Sequence, residues 1–387
     1  MEFIAGNRIT LLESGVAYFP ALIAAIDGAI NEVHLETYIF ENDATGRRVA
    51  AALAAAARRG VAVRVLVDGF GARELSRTLA VGLTADDVQV MVFRPERGRL
   101  RLRRHRLRRM HRKVAVIDAR IAFVGGINVL DDRDSAGDLP PRFDYAARIE
   151  GPLIGAVHAS VTHLWRVVRW ARMRRRERAP PLPLAVDDAV GEVSAALVIR
   201  DNFKHRRDIE NAYLAAIDAA REEIILANAY FLPGRRFRRA LLGARERGVR
   251  VLVLLQGRVE YVLFHYATQA LCDALLDAGI ELFEYHKTYM HAKVAVVDGR
   301  WSTVGSSNID PFSLLVAREA NVVIDNAAFA AQLGGSVKAA IADGATQMRR
   351  DDRRRHRWPS RVARWLAYTL VRTVVDLTGY GDGERLN

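Results

Sequence analysis

Apolar residues recur along the chain in two alternating patterns, one typical of buried strands and one of helices. The runs in "RRGVAVRVLVDG" (58–69) and "ARERGVRVLVLLQG" (244–257) are β-branched and continuous, which predicts buried strands. Each run follows a helical pattern that ends at a glycine, Gly60 or Gly248. This succession of strand, helix and strand predicts an α/β fold with a largely parallel sheet.

This succession occurs twice along the chain. The first occurrence begins with "LETYIF" (35–40) and the second with "LANAYF" (226–231). An arginine- and proline-rich connector, residues 172–188, separates them, with the boundary predicted near Leu184 to Ser194. The sequence therefore predicts two homologous halves, 1–188 and 189–345. Residues 346–387 follow as a basic C-terminal segment in which an extra amphipathic helix is predicted from about Pro359.

Each half also contains one copy of a short polar motif. The copies are "MHRKVAVIDARIAFVGGIN" (110–128) and "MHAKVAVVDGRWSTVGSSN" (290–308). Five shared positions recur by chance on the order of once in a few million starts, so the repeat is significant. The shared residues are His111, Lys113, Asp118, Gly125 and Asn128 in the first copy and His291, Lys293, Asp298, Gly305 and Asn308 in the second.

Strand geometry predicts where these side chains point. Side chains two residues apart lie on one side of a strand, so each histidine and its lysine project together. Asp118 and Asp298 open tight turns, and a structural role at the turn is favoured over a chemical one for both motif aspartates. The returning strand of each hairpin is expected to bring Asn128 or Asn308 back beside its histidine.

The motif residues suit transfer of a phosphoryl-type group. A neutral imidazole can attack phosphorus while a second, protonated imidazole donates a proton to the leaving oxygen. Lysine ammonium groups and asparagine amides can stabilise the charge that develops on the phosphate oxygens. One site shared by the two halves is therefore expected, with no metal and no cofactor, since the lysines replace the usual cation.

The paired motif resembles that of the phospholipase D superfamily. Within it, "RDNFKHRRDIENAYLAAI" (200–217), "LLQGRVEY" (254–261) and "VGSSNIDPFSLLVAREANVVI" (304–324) are similar to bacterial cardiolipin synthases. The resemblance implies two phospholipase D-like halves that share one active site at their interface. It also implies a ping-pong reaction, in which a phosphatidyl group passes from one phosphatidylglycerol through a phosphohistidine to a second one, giving cardiolipin and glycerol.

The resemblance assigns His111 as the nucleophile and His291 as the general acid and base. It further implies that a carboxylate about thirty residues downstream orients each histidine, Asp144 for the first and Glu319 for the second, although an ordinary surface carboxylate is the alternative for both. Gly126 departs from the family pattern, which has a serine there as at Ser306, and so one hydroxyl donor is missing.

A loop after a parallel strand often binds ligands, which makes Arg258 and Tyr261 candidate headgroup contacts. The formal charge of +13 implies an anionic partner. Eight arginines between Arg97 and Arg109 would suit either anionic headgroups or nucleic-acid phosphate. Nucleic acid is disfavoured, because Phe and Tyr fall mainly inside apolar strands rather than between basic residues. An anionic phospholipid, phosphatidylglycerol, and the membrane surface are the expected partners.

Two segments, 161–176 and 360–377, combine helical periodicity with tryptophans and arginines. This combination fits helices lying in a membrane interface. For the first, packing on the protein core is an equal alternative.

The chain shows no apolar run long enough to span a bilayer and no basic segment with an apolar run at its start. Its single cysteine, Cys272, reads as a core residue. These features predict a peripheral protein on the cytoplasmic side of the cell membrane, with no obligate protein partner inferred. A phospholipid hydrolase, a metal-independent nuclease and a non-catalytic lipid-binding protein stay open as alternatives, as does the identity of the acceptor.

Overall fold

The computed structural model describes residues 1–72, 75, 79–95, 108–132, 140–171, 188–259, 262–350, 369 and 373. The predicted arginine run (except Arg108 and Arg109), the connector 172–187 and the helix at 360–377 (except 369 and 373) lie outside these residues. The first half contains β1 (Ile4–Glu13), α1 (Ser14–Asp27), β2 (Glu32–Thr37), α2 (Ala44–Arg58), β3 (Ala62–Asp68), α3 (Leu79–Ala85), β4 (Gln89–Phe93), β5 (Lys113–Ile117), β6 (Ile121–Gly125), β7 (Tyr145–Glu150) and α4 (Ile154–Ala171).

The second half repeats this order, with one short additional helix, α8, and one additional strand, β15. Its elements are β8 (Val193–Arg200), α5 (Asp208–Ala219), β9 (Glu223–Asn228), α6 (Arg235–Glu246), β10 (Arg250–Gln256), α7 (Val262–Asp277), β11 (Glu281–Tyr285), β12 (Lys293–Val297), β13 (Trp301–Gly305), α8 (Pro311–Leu315), β14 (Glu319–Asp325), α9 (Ala327–Gly344) and β15 (Ala345–Gln347).

All described strands join one 15-stranded sheet in the order β15-β11-β10-β9-β12-β13-β14-β8-β1-β7-β6-β5-β2-β3-β4. The order is a palindrome of the two halves, apart from β15, and it is centred on the antiparallel contact between β1 and β8. The α/β class and the two repeated halves are thus confirmed. The predicted boundary at 345 falls at the first residue of β15, which pairs with β11, and the boundary at 188 stays a prediction.

The sheet is mixed rather than mainly parallel. Parallel pairing is confined to β2-β3-β4 and β9-β10-β11, the strands linked by helices. The other pairs are antiparallel. Among them, β5-β6 and β12-β13 are the motif hairpins, whose tight turns make the two strands run in opposite directions. The expectation of a mainly parallel sheet was therefore wrong for the strands that carry the motif.

Three large hydrophobic clusters hold most of these elements together, and a smaller fourth packs α4 on β3 and β4. One packs α1 and α2 on the first half of the sheet, and one packs α5 and α6 on the second. The third is shared, and joins α4 and α9 to the inner faces of both halves, where β6 and β7 pack on β13 and β14. This shared core brings the two motif-bearing hairpins to one seam.

Helix α4 contains the described part of segment 161–176, for which packing on the core and a membrane interface were the two alternatives. Val161, Leu164, Trp165 and Val168 are buried at helical spacing, so this helix packs on the protein core, although the Trp170 side chain is 66% exposed. Cys272 is buried in α7, as predicted. Among the described residues, no helix is both long enough and apolar enough to cross a bilayer.

Candidate active site

The two motif aspartates hold the hairpins to the sheet. Asp118 and Asp298 both have left-handed backbone conformations, with φ of 51° and 49°, at the start of the turns. The carboxylate of Asp118 accepts N–H bonds from residues 30, 31 and 32 at 2.7–2.8 Å, and that of Asp298 accepts from residues 221, 222 and 223 at 2.8–3.0 Å. Burial acts to raise the pKa of Asp298, but these donors hold it below its ordinary value. The favoured structural reading fits both residues.

The two histidines are fixed at the seam by the backbone of the opposite half. His111 donates its N–H to the carbonyl of Arg318 at 2.9 Å, and Arg318 donates to Arg109 at 2.8 Å. His291 donates to Phe143 at 2.8 Å, and Phe143 donates to Tyr289 at 2.9 Å. Each histidine is therefore paired with the residue that precedes a carboxylate of the other half.

The side-chain contacts of the two histidines also join opposite halves of the chain. Nδ1 of His111 lies 3.0 and 3.2 Å from the two oxygens of Glu319, and Nδ1 of His291 lies 2.7 Å from Oδ2 of Asp144. The expected pairing of each histidine with the carboxylate of its own half was wrong, because the seam places the neighbouring half closer. Both carboxylates are buried, which excludes the alternative of ordinary surface residues.

The motif lysines complete one charged cluster. Nζ of Lys113 donates to the carbonyl of His111 at 2.6 Å, and Lys293 donates likewise to His291. Both lysines are buried, and the charge of each acts on both histidines. The two halves therefore contribute to a single site.

The cluster favours neutral imidazoles. Burial lowers the pKa of His291 to about 3, with Lys293 adding to the effect and Asp144 opposing it. Burial likewise lowers the pKa of His111, against the attraction of Glu319. Burial also lowers the pKa of Lys113 to about 7. With Nδ1 of each ring held by a carboxylate, Nε2 is the atom left for chemistry.

Gly126 and Ser306 occupy equivalent positions but do different work. The Ser306 hydroxyl donates to Glu319 Oε2 at 2.5 Å and accepts from the N–H of Ala320 at 3.0 Å, so it supports the carboxylate. At Gly126 a Cβ atom would lie 2.3 Å from Asp144 Oδ1. The shorter aspartate brings its carboxylate into the space that a serine would need, which accounts for the glycine.

The two motif asparagines differ in their hydrogen bonds, and the two predicted headgroup residues differ in what the structure describes of them. Oδ1 of Asn128 accepts from the N–H of Ile39 at 3.1 Å and anchors the loop after β2. Asn308 is buried, and its Oδ1 has no hydrogen-bond partner among the described residues. Arg258 is bonded to the His286 carbonyl at 2.7 Å, so its headgroup role stays a prediction. Tyr261 lies outside the described residues.

Tyr38 is a site residue that the sequence motif did not indicate. Its ring lies 4.9 Å from the His111 ring, and Nζ of Lys113 lies 5.4 Å from its centroid. The residue follows β2 directly, at the position that Ala229 occupies after β9. A comparison of the two repeats at this position would have marked Tyr38 as a residue present on one side alone.

One buried group outside the site has the composition of a metal centre. Ligand atoms of Glu32, His34 and His158 lie within 4.8 Å of one another. However, Arg64 donates to the same Glu32 carboxylate at 3.1 Å and thus supplies the positive charge that a metal would bring. Burial acts to raise the pKa of Glu32, but hydrogen bonds from the two histidines keep it well below its ordinary value. Both oxygens of the Glu32 carboxylate are thus engaged by side chains of the protein itself.

Comparisons with known proteins agree with this geometry. A family described as "Cardiolipin synthase, PLD-like domain" matches residues 22–134 and 213–339. Cardiolipin synthase B of Escherichia coli strain K12 is 38% identical over 97% of this chain and 90% of its own length, and cardiolipin synthase A of Cronobacter sakazakii is 32% identical over 85% and 68%.

A phosphatidylserine synthase from Haemophilus influenzae has the same fold, with a TM-score of 0.70 at 13% identity over 96% of this chain and 94% of its own. The resemblance noted from the motifs is thereby confirmed. The chain belongs to the phospholipase D-like family of cardiolipin synthases.

Proposed function

We propose that the protein is a phosphatidyltransferase that makes cardiolipin from two molecules of phosphatidylglycerol and releases glycerol. The observation that carries the proposal is the pair of partly buried imidazoles, each held at Nδ1 by a carboxylate of the opposite half. The cardiolipin synthases that match nearly the whole chain support the substrate class.

In the first step, neutral His111 attacks the phosphorus of the donor lipid through Nε2. Glu319 fixes its tautomer and stabilises the positive charge that the ring acquires. His291 gives its proton to the departing glycerol oxygen, so the bond between phosphorus and that oxygen breaks as the bond between phosphorus and nitrogen forms. An anionic phosphodiester next to His291 favours the protonated ring that this step needs.

In the second step, His291 takes a proton from a hydroxyl of the acceptor phosphatidylglycerol. The hydroxyl oxygen attacks the phosphohistidine, and His111 leaves as neutral imidazole. Lys113 and Lys293 neutralise the non-bridging oxygens in both steps. Because both lysines are buried in the resting site, a bound anion favours their charged forms and offsets part of their desolvation cost.

We infer that the reaction takes place at the cytoplasmic face of the cell membrane, with the protein bound peripherally. The substrate is a bilayer lipid, and the net charge of +13 favours an anionic surface.

Incubation of the purified protein with phosphatidylglycerol in mixed micelles, followed by mass spectrometry of the lipids, tests the proposal. We expect cardiolipin and glycerol in equal amounts, and no product from His111→Ala or His291→Ala. Phosphatidic acid as the sole product would reject the transferase in favour of a hydrolase. Cleavage of DNA without lipid turnover would favour a nuclease, and turnover that survives in either histidine variant would reject the shared site.

A further inference from the structure

An open groove of about 760 Å³ runs between the two halves, away from the imidazoles. It lies between α4 of the first half and α5 of the second, over β8. This volume is in the range of ligand-binding sites. The apolar part of its wall is formed by Ala156, Ala159, Leu197, Ile199, Ala212 and Ala215.

The groove and the imidazoles lie on opposite sides of the catalytic backbone segments. Arg112, which lines the groove, alternates with His111 and Lys113, so its side chain points to the other side of the strand. Arg318 has the same relation to Glu319. The groove is therefore a separate space that begins one backbone layer behind the site.

The base of the groove carries an arginine without an ion-pair partner. Nε of Arg112 lies 2.6 Å from Oε2 of Glu36. Arg318 has no carboxylate within ion-pair distance among the described residues, and its buried Nε has no hydrogen-bond partner there. Burial lowers the pKa of Arg318, with the charges of Asp201 and Glu36 opposing the effect and that of Arg112 adding to it. A desolvated cation of this kind is costly unless an anion meets it.

The carboxylates along the groove are already engaged. Asp201 accepts the N–H groups of Phe203 and His205 at 2.7 and 3.0 Å. Asp208 lies 2.7 Å from Nδ1 of His205. Arg318 is thus the residue in the described part of the groove best placed to bind an added anion.

Neither the fold nor the chemistry requires the charged side chains of Glu36, Arg112 and Arg318, because the second half has uncharged residues at the positions of Glu36 and Arg112 and the first half has one at the position of Arg318. Ala227 stands where the first half has Glu36, and Ala292 stands where it has Arg112. Phe143 precedes Asp144 as Arg318 precedes Glu319. A charged cluster present on one side of the pseudo-two-fold axis indicates a function of that side.

The loop after β8, at the edge of the groove, has the composition of a membrane-contacting segment. Phe203 is 72% exposed in this loop, and Lys204, Arg206 and Arg207 surround it in sequence. An exposed aromatic ring among basic residues is typical of a membrane-contacting segment. Its neighbours Asp201 and His205 line the groove.

We propose that the groove between α4 and α5 binds one anionic phospholipid in addition to the lipid at the imidazoles. The acyl chain lies along the alanine walls, and the phosphate lies against Arg318. This second site does not depend on turnover, because none of its residues contacts Nε2 of either histidine.

Photolabelling tests the second site. The probe is a phosphatidylglycerol that carries a diazirine in one acyl chain, presented to the full chain in mixed micelles, and the labelled peptides are mapped by mass spectrometry. We expect labels on residues 156–164 of α4 and 208–216 of α5, in the wild type and equally in His111→Ala. Failure of the proposed reaction would therefore leave this result unchanged.

Groove-filling variants sharpen the test. Ala159 and Ala215 are exposed on facing helices, so Ala159→Trp with Ala215→Trp fills the groove without disturbing the core. We expect groove labelling to fall about tenfold or more, whereas Ala51→Trp, at an exposed alanine of α2, should label as the wild type does. Arg318→Gln should reduce labelling by the phosphatidylglycerol probe but not by an uncharged diacylglycerol probe.

Labels confined to peptides around His111 and His291 would overturn the proposal. So would groove labelling that the double tryptophan variant leaves intact, or equal labelling of wild type and Arg318→Gln by the anionic probe. If the chain's own residues 172–187 occupy the groove, α4 and α5 will take no label, and the proposal fails.

Discussion

Glu319 lies 3.0 Å from Nδ1 of His111, although the two residues come from different halves of the chain. The equivalent contact across the pseudo-two-fold axis joins Asp144 to His291 at 2.7 Å. A carboxylate in this position keeps the proton on Nδ1 and leaves Nε2 free to react.

The crossed pairing predicts which histidine responds to the loss of each carboxylate. Glu319→Gln keeps the shape of the side chain but removes the charge that steadies His111, so kcat should fall by about 10²–10⁴. Nitrogen-15 NMR of the imidazoles should show an altered tautomer or pKa at His111 and an unchanged His291. Asp144→Asn is the matched control, for which the change should appear at His291 and not at His111. An effect of Glu319→Gln on His291 alone would contradict the crossed geometry.

The motif aspartates should matter for stability rather than for the chemical step. Asp298→Ala leaves three backbone N–H groups without their acceptor, which should lower the free energy of unfolding by about 1–3 kcal/mol while kcat of the folded protein stays close to that of the wild type. Urea unfolding and initial rates measure the two effects. Asp343→Ala, at an exposed carboxylate of α9, is the control.

The pH dependence of this effect has a defined sign. The pKa of Asp298 is lowered in the folded state, so its contribution is present above the unfolded pKa and is lost as the pH falls through the lower folded value. The difference between wild type and Asp298→Ala should therefore shrink in acid. Wild-type stability with abolished turnover in Asp298→Ala would instead indicate a chemical role.

Lys113 should lower the free energy of unfolding by an amount that depends on pH. Burial lowers its pKa from 10.5 to about 7, so the folded state disfavours the charged form. Lys113→Met should unfold at higher urea concentration than the wild type at pH values below the folded pKa, with the gain shrinking as the pH rises from about 7 toward the unfolded pKa. Turnover should be lost. Lys338→Met, at an exposed lysine, should show no such pH dependence, and a gain that grows with pH would refute the argument.

Restoring the family serine at position 126 should damage the enzyme. A Cβ atom at Gly126 would lie 2.3 Å from Asp144 Oδ1, so Gly126→Ser must displace the carboxylate from His291. We expect turnover to fall at least about tenfold, in the range seen when residues that orient a ligand or a base are moved. The double variant Gly126→Ser with Asp144→Glu reproduces the pair Ser306 and Glu319 and should recover part of the activity. Full activity of the single variant would show that Asp144 does not need its present position.

Much of this architecture was predictable from sequence because it depends on local rules. The period-two pattern after each histidine gave the hairpins, and the turns at Asp118 and Asp298 follow from residues that tolerate left-handed backbone. The sequence could not assign Asp144 and Glu319 to the correct histidines, because that choice is made by the packing of β6 and β7 on β13 and β14. Spacing along the chain contains no information about which half lies nearer.

The balance of parallel and antiparallel strands was misjudged for a related reason. Helix-linked strands dominate the pattern, yet ten of the fourteen strand pairs in the described sheet are antiparallel. Tyr38 lies outside the motif, because the motif consists only of residues that both copies share. Residues that differ between the copies distinguish the environment of His111 from that of His291.

The exchange of carboxylates across the seam makes reactivity a property of the assembled pair. A half expressed alone would keep its histidine and lysine but lack the acid that orients the ring, so it should be inert until a complementary half docks. Two copies of one ancestral half could meet that need by pairing as a symmetric dimer. Within a single chain the two halves can differ in sequence, as they do at Gly126 and Ser306, provided that each supplies a carboxylate to the other's imidazole.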